Sequence, residues 1–75
     1  MTYDEIRGAF INARRARGLS VHQLADELRV HAQSVYRFEA QLGGSDQLLI
    51  KLVDYFQIDG ITIDHIVRAR NDEKK

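Results

Sequence analysis

The chain has 75 residues, with eleven Lys or Arg, eleven Asp or Glu, and neither cysteine nor proline. This length predicts one domain, residues 1–75, whose core is near the lower limit of independent stability. The absence of cysteine excludes disulfides and thiolate metal sites and is typical of the reducing cytoplasm, where we expect the protein. No apolar run approaches the roughly 18 residues that a membrane-spanning helix requires, so we expect no membrane partner.

Abundant helix-forming residues and few alternating apolar and polar residues predict an all-α fold, a compact bundle of about five short helices. Thr2 and Glu5 have the spacing of a capping box, in which each side chain accepts a hydrogen bond from the backbone N–H of the other residue. We expect the first helix to begin there and to end near Arg17, immediately before Gly18.

Two further helices follow, joined by a tight turn. Ser20 is a good N-cap for the second helix, which we expect to end near Leu28. The third helix should begin at His31 or Ala32 and extend to about Gln41. The apolar stripe that joins the two helices consists of Leu24, Ala25, Leu28, Val30, Val35 and Phe38.

The remaining residues predict a loop and two more helices. A Gly-Gly-Ser sequence at residues 43–45 marks the clearest loop, and a fourth helix follows it. The apolar stripe of that helix consists of Leu48, Leu49, Leu52, Val53 and Phe56, with Ile50 at the rim of the core. The last helix should extend from Thr62 or Asp64 to about Arg70, and residues 70–75 should form a charged, frayed tail.

Pairs of residues in helices two and three lie at the offsets of a known motif: Leu19-Ser20, Leu24-Ala25, Leu28 with Val30, Ser34-Val35, and Phe38-Glu39. In this spacing the chain resembles the lambda-repressor-like (Cro/repressor, Xre) family of helix-turn-helix DNA-binding domains, whose five-helix order residues 6–67 follow. The family usually has glycine in the turn, where this chain has Arg29. The resemblance implies a transcriptional repressor that binds the major groove of double-stranded DNA, at an inverted repeat, as a homodimer.

The resemblance also implies which side chains contact DNA. Gln33 and Arg37 occupy the main base-reading positions of the family, and these side chains make paired hydrogen bonds to adenine and guanine, respectively. The first turn of helix two corresponds to a phosphate contact, which positions the protein without reading sequence. The predicted DNA-contacting residues are Ser20, His22, Gln23, His31, Ala32, Gln33, Ser34, Tyr36 and Arg37. The alternative is an ordinary solvated helix face.

The distribution of charge is compatible with this function although the net charge is zero. DNA-binding domains are more often basic, but the positions of the charges matter more than their sum. The arginines that could form a basic face are Arg14, Arg15, Arg17, Arg29 and Arg37, whereas acids predominate in the C-terminal half. A neutral total argues against strong binding that is independent of sequence.

Arg14 and Glu39 should form a structural ion pair. In proteins of the family, an arginine and an acid at these offsets form a largely buried pair that orients helix one against helix three. The alternative is two independent surface charges, which contribute little to stability.

Ile61, Ile63, Ile66 and Val67 provide more branched apolar surface than one short terminal helix can bury. We expect part of this surface to cover the core and the rest to form a dimer interface, because recognition of paired half-sites usually requires two copies. The alternative is that all four residues belong to the core.

Catalysis and metal binding are not expected. His22, His31 and His65 lack the i, i+4 spacing of a zinc-binding helix, and a domain of this size offers no deep cleft. No motif suggests a cofactor or a small-molecule effector. The rival function is a small helical protein–protein interaction module, which uses the same bundle without reading DNA and which neutral charge would tolerate.

Overall fold

The computed structural model describes residues 2–41 and 43–73. These residues form five helices, α1 (Tyr3–Ala16), α2 (Val21–Leu28), α3 (Ala32–Glu39), α4 (Asp46–Phe56) and α5 (Ile63–Glu73). Neither range contains a β-strand, which confirms the predicted all-α bundle. The radius of gyration is 11.5 Å, close to the ~11 Å of a compact chain of this length. No helix in the two ranges combines the length and the apolar character needed to cross a membrane.

The core is centred on Phe10 of α1. Its ring lies 6.2 Å from that of Phe38 in α3 and 6.1 Å from that of Phe56 in α4, centroid to centroid. Helix α5 packs against α1 and α4 through Ile66 and Ala69, which are 1% and 5% exposed. The amphipathic helices thus each bury one apolar face in the same small core.

Two helices begin with the same reciprocal cap. Thr2 Oγ1 accepts a hydrogen bond from the Glu5 N–H (3.1 Å), and Glu5 Oε1 accepts one from the Thr2 N–H (2.9 Å), as the spacing predicts. The backbone hydrogen bond from Thr2 lowers the pKa of Glu5 below its ordinary value. Ser20 and Gln23 form the equivalent pair at α2, with distances of 3.1 and 2.8 Å. These local bonds explain why both helix starts are readable from the sequence.

Helix α2 ends in a left-handed residue that is not glycine. Arg29 has φ 57° and ψ 46°. Its N–H donates to the carbonyl of Asp26 (3.2 Å), and the N–H of Val30 donates to that of Ala25 (3.0 Å). Helix α1 ends with the same pattern of bonds, but there the left-handed position is Gly18, with φ 69°. The shape of the turn between α2 and α3 therefore requires a conformation that strains Arg29.

Replacing Arg29 with glycine should raise the free energy of unfolding by about 1 kcal/mol, because the left-handed conformation costs a residue with a Cβ roughly that much. In a domain of this size the melting temperature should rise by about 4–8 °C, measured by circular dichroism. Arg29→Ala is the control, because it removes the same charge but keeps the Cβ, and it should bring no such gain. Destabilisation by Arg29→Gly would contradict the assignment of strain to this turn.

The ends of two helices differ from the prediction. Helix α3 ends at Glu39 rather than near Gln41, and Gln41 is itself left-handed, with φ 66°. The chain reverses there because the following loop must approach the core. Helix α5 continues to Glu73 rather than ending near Arg70, so it includes residues 70–73 of the segment expected to form a frayed tail. Residues 74–75 lie outside the described ranges.

Candidate nucleic-acid interface

Helices α2 and α3 pack closely, with only residues 29–31 between them. Ala25 of α2 and Val35 of α3 are each 1% exposed, so the small side chain of one allows the approach of the branched side chain of the other. The opposite face of α3 carries Gln33, Tyr36 and Arg37, all exposed. The two other predicted contacts on α3, Ala32 and Ser34, are half-buried beside them.

A contact between rings joins the exposed face of α3 to the start of α2. The His22 and Tyr36 rings lie 5.7 Å apart, centroid to centroid, at an angle of 74°. His22 is the second residue of α2, and Tyr36 is 50% exposed. The first turn of α2 and the outer face of α3 are therefore parts of one surface. We call it the α2–α3 surface, and its residues are Ser20, His22, Gln23, Gln33, Ser34, Tyr36 and Arg37.

The capping box at α2 determines which atoms of Ser20 and Gln23 can face a ligand. Ser20 Oγ accepts from the Gln23 N–H, and Gln23 Oε1 accepts from the Ser20 N–H. Each side-chain oxygen accepts one backbone hydrogen bond, and the Ser20 hydroxyl proton and the Gln23 side-chain NH2 group are available as donors. Donors at a helix N-terminus suit an anion such as a backbone phosphate. The Ser-x-x-Gln spacing would have revealed this cap from the sequence.

Arg37 lines a polar recess at the edge of this surface. The recess has a volume of about 190 Å³, and its other lining residues are Ser34, Gly43, Gly44 and Ser45. A guanidinium in this position can reach a base edge or an anion seated in the recess. The structure therefore leaves two chemical roles open to Arg37, whereas the sequence reasoning considered base reading.

The ion pair expected between Arg14 and Glu39 is present. Arg14 Nε donates to Glu39 Oε2 (2.8 Å), and Arg14 Nη2 donates to Glu39 Oε1 (3.0 Å). Arg14 Nη1 also donates to the carbonyl of Leu19, just before α2 (2.8 Å). The two charged side chains are only 12% and 15% exposed. One guanidinium therefore ties α1 to the end of α3 and to the residues that lead into α2.

Two of the arginines expected to contribute to a basic face, Arg14 and Arg17, contact other side chains of the fold. Arg14 turns inward to Glu39, and the guanidinium of Arg17 lies over the rings of Tyr55 (5.0 Å) and Phe56 (4.9 Å) in α4. Such a cation–π contact holds Arg17 against the core. Arg14 is therefore occupied within the fold, whereas Arg17 contacts the two rings and remains exposed.

The sequence analysis did not predict that Arg7 is buried. Arg7 is 7% exposed, forms an ion pair with Asp4, and lies over the rings of Tyr3 (4.9 Å) and Phe38 (5.9 Å). Arg7 lies three residues after Asp4 and four after Tyr3, on one face of the helix, and this spacing could have predicted these contacts. A Cβ on Gly44 would lie 3.1 Å from Phe38 Cδ1, so glycine lets the loop after α3 approach this cluster. The cluster positions the loop that lines the Arg37 recess.

The predicted dimer residues divide into two pairs. Ile61 and Ile66 are 4% and 1% exposed, so their assignment to a dimer interface is wrong: they pack in the core of the single chain. Ile63 is half-buried and Val67 is 48% exposed. The sequence alone could not separate the pairs, because the side of α5 that faces the core depends on how α5 packs against α1 and α4.

The three histidines lie on different helices: His22 in α2, His31 at the start of α3, and His65 in α5. No group of three His, Cys, Asp or Glu residues within the described ranges could hold a metal ion. His22 contacts Tyr36, His65 Nδ1 lies 2.7 Å from Thr62 Oγ1, and His31 occupies the N-cap position of α3. His31 is exposed at the start of the helix, beside the α2–α3 surface.

The α2–α3 surface combines side chains with complementary chemistry. Gln33 offers both a donor and an acceptor, Arg37 offers paired donors, and Tyr36 adds an aromatic ring. These side chains occupy the exposed face of one short helix, and helix α2 adds backbone and side-chain donors at its first turn.

Comparison of the chain with family models, with curated proteins and with solved structures finds no match.

Proposed function

We propose that the protein is a sequence-specific DNA-binding protein in which α2, residues 29–31 and α3 act as a helix-turn-helix. In this proposal α3 enters the major groove, which is wide enough to admit a helix. The protein acts as a homodimer at an inverted repeat and represses transcription by occluding a promoter. This function agrees with the resemblance of the chain to lambda-repressor-like domains.

The contact between His22 and Tyr36 supports the proposal most directly. It makes the first turn of α2 continuous with the exposed face of α3, at a centroid distance of 5.7 Å. Docking by a helix-turn-helix needs this arrangement, because one helix contacts the DNA backbone while the next reads bases. The contact does not by itself distinguish DNA from another ligand, but it shows that the two proposed contact regions lie side by side.

Each part of the surface has a role in the proposed mechanism. Gln33 pairs with adenine, Arg37 pairs with guanine, and Tyr36 contacts a thymine methyl group. Ser20 and Gln23 donate to a backbone phosphate at the start of α2, and the imidazole of His22 lies beside them. The small side chain of Ala32 and the position of His31 at the N-terminus of α3 allow close approach to the groove.

The ion pair between Arg14 and Glu39 holds the reading helix in place. Base readout requires side chains to be held within a fraction of an ångström of their productive positions. A guanidinium that binds both the end of α3 and the carbonyl of Leu19 limits the movement of α3 relative to α1 and α2. We therefore treat this pair as a scaffold feature that does not itself contact DNA.

A protein–protein interaction module is the second candidate, and the zero net charge favours it. The exposed ring of Tyr36 also suits a protein partner, because aromatic residues are enriched at protein interfaces. The two functions differ in their response to salt. Phosphate contacts release counterions. A plot of the logarithm of DNA affinity against the logarithm of salt concentration should therefore have a slope of about −0.9 for each phosphate contacted.

Selection of binding sites from random duplex DNA tests the proposal. The expected result is a symmetric motif with half-site centres about 10–10.5 bp apart, or a multiple of one helical turn. Affinity for the selected duplex should also fall steeply with salt. If no motif is enriched, or if binding is indifferent to salt, the protein-interaction function replaces DNA readout.

A further inference from the structure

We propose that Tyr36, held in place by His22, makes the α2–α3 surface sensitive to the methyl group on C5 of a pyrimidine. The protein then binds a site that contains thymine or 5-methylcytosine more tightly than the same site without that methyl group, and methylation of one cytosine raises its affinity. The inference rests on the proposed function and goes beyond it, because readout of sequence alone requires no response to a modified base.

Tyr36 is the apolar member of a polar face. Its side chain is 50% exposed, whereas Gln33 and Arg37, the other exposed side chains of the α2–α3 surface on α3, act through hydrogen bonds. Within residues 2–41 and 43–73 two other large apolar side chains are exposed, and these, Ile50 and Val67, lie on α4 and α5. The Tyr36 ring therefore supplies the apolar contact of the α2–α3 surface.

The ring of His22 restricts the position of the Tyr36 ring. The two centroids are 5.7 Å apart and the ring planes meet at 74°, so the edge of one ring faces the plane of the other. The contact joins α2 to α3, two helices that already pack closely. A side chain that is held before binding loses little conformational freedom when a ligand arrives. His22 is thus a positioning residue, which acts on the ligand through Tyr36.

The C5 methyl group is the apolar group that base edges present in the major groove. The faces of the bases are stacked inside the duplex, so a ring carried by a helix in the groove meets edges. The Tyr36 hydroxyl makes no hydrogen bond with any residue in the two described ranges, and a hydroxyl can both donate and accept. It can therefore donate to O4 of thymine or accept from N4 of cytosine. The ring distinguishes the presence of the methyl group, which thymine and 5-methylcytosine share.

Replacement of single bases in the duplex selected by the parent tests the inference. Each thymine of one half-site is replaced in turn by uracil, which lacks only the methyl group, and affinity is measured by fluorescence anisotropy at one salt concentration. Burial of one methyl group corresponds to about a fourfold change in affinity, so one thymine should lose about fourfold on replacement. Cytosine and 5-methylcytosine are then compared at that position, and the methylated form should bind about fourfold more tightly.

Variants separate the ring from its support. Tyr36→Ala should bind the thymine and uracil duplexes equally. His22→Ala should reduce the preference for the methyl group, and His22→Phe should restore it, because phenylalanine keeps the aromatic contact and carries no charge. Gln33→Ala is the matched control, since it removes another exposed side chain of α3. It should lower the affinity for both duplexes but keep the fourfold preference.

The outcomes separate this inference from the proposed function. A parent that selects no motif contradicts both. A parent that selects a motif but is indifferent to the methyl group at every pyrimidine supports DNA readout and overturns the inference alone. A preference for thymine over uracil without any gain from 5-methylcytosine overturns the response to cytosine methylation. If His22→Ala keeps the preference and its salt slope falls by about one, His22 contacts a phosphate and its positioning role is overturned.

Discussion

Glu39→Ala is expected to lower the free energy of unfolding by about 3 kcal/mol, because it leaves the charge of Arg14 in a site that is only 12% exposed. The variant also loses two hydrogen bonds, of 2.8 and 3.0 Å, that hold α1 against the end of α3. For a domain of this size the melting temperature should fall by about 12–24 °C. Thermal or urea denaturation followed by circular dichroism measures the change.

Two controls distinguish a buried ion pair from an ordinary surface pair. Asp46→Ala removes the partner of Arg70 at a site where the carboxylate is 86% exposed, and it should cost less than about 1 kcal/mol. Arg14→Met combined with Glu39→Leu removes both charges and should recover most of the stability that Glu39→Ala loses. A melting temperature of Glu39→Ala equal to that of the parent would show that the pair contributes little to the fold.

Gln33→Ala and Arg37→Ala are each expected to reduce discrimination at one base per half-site by about 1–3 kcal/mol, which is roughly 5- to 150-fold. The two side chains are four residues apart on one face of α3, both exposed, and both able to make paired hydrogen bonds to a purine. Site selection from random duplex DNA by the parent and each variant, at one fixed salt concentration, measures the effect. Each variant should degrade a different position of the motif.

Ser20→Ala tests a phosphate contact, in contrast to the base contacts removed by Gln33→Ala and Arg37→Ala. It removes a donor to the DNA backbone, so it should weaken binding to all sequences alike without changing the selected motif. Its stability must be measured in parallel, because Ser20 also caps α2 and the substitution should cost about 1 kcal/mol. Identical motifs from the parent, Gln33→Ala and Arg37→Ala would rule out readout by α3.

The Arg37→Ala variant also distinguishes two possible roles of Arg37, which lines the recess with Ser34 and Ser45. If it reads a base, Arg37→Ala changes the motif at one position. If it instead binds a phosphate at the recess, the motif is unchanged, affinity falls for every sequence, and the salt slope decreases by about one. Gln33 would then be the main reader of bases on the helix.

The sequence by itself determined the helix starts and the approximate helix order. The caps of α1 and α2 depend on side chains that bond to the backbone N–H three residues away, as Thr2 does with Glu5 and Ser20 with Gln23. Because these bonds join residues only three positions apart, their pattern is visible in the sequence. The spacing of apolar residues along α2 and α3 likewise predicts two helices that pack against each other.

Only the tertiary structure decided the positions of long side chains that are partly apolar and partly charged. Arg7 and Arg17 have long apolar stems and charged heads, so they suit either water or an aromatic surface. Their positions became definite when Phe38 and Tyr55 came within reach from other helices. Sequence periodicity identifies an apolar helix face but not the helix against which that face packs.

The same reason explains two features that the sequence did not predict: which residues of α5 are buried, and where α3 ends. Ile66 entered the core and Val67 did not, because α5 packs against α1 and α4 at one rotation about its own axis. Helix α3 ended at Glu39 although Ala40 and Gln41 contain no helix breaker, because the following loop must bring Gly44 against Phe38. Local hydrogen bonds start a helix, whereas contacts distant in sequence select the face that is buried and the residue at which the helix ends.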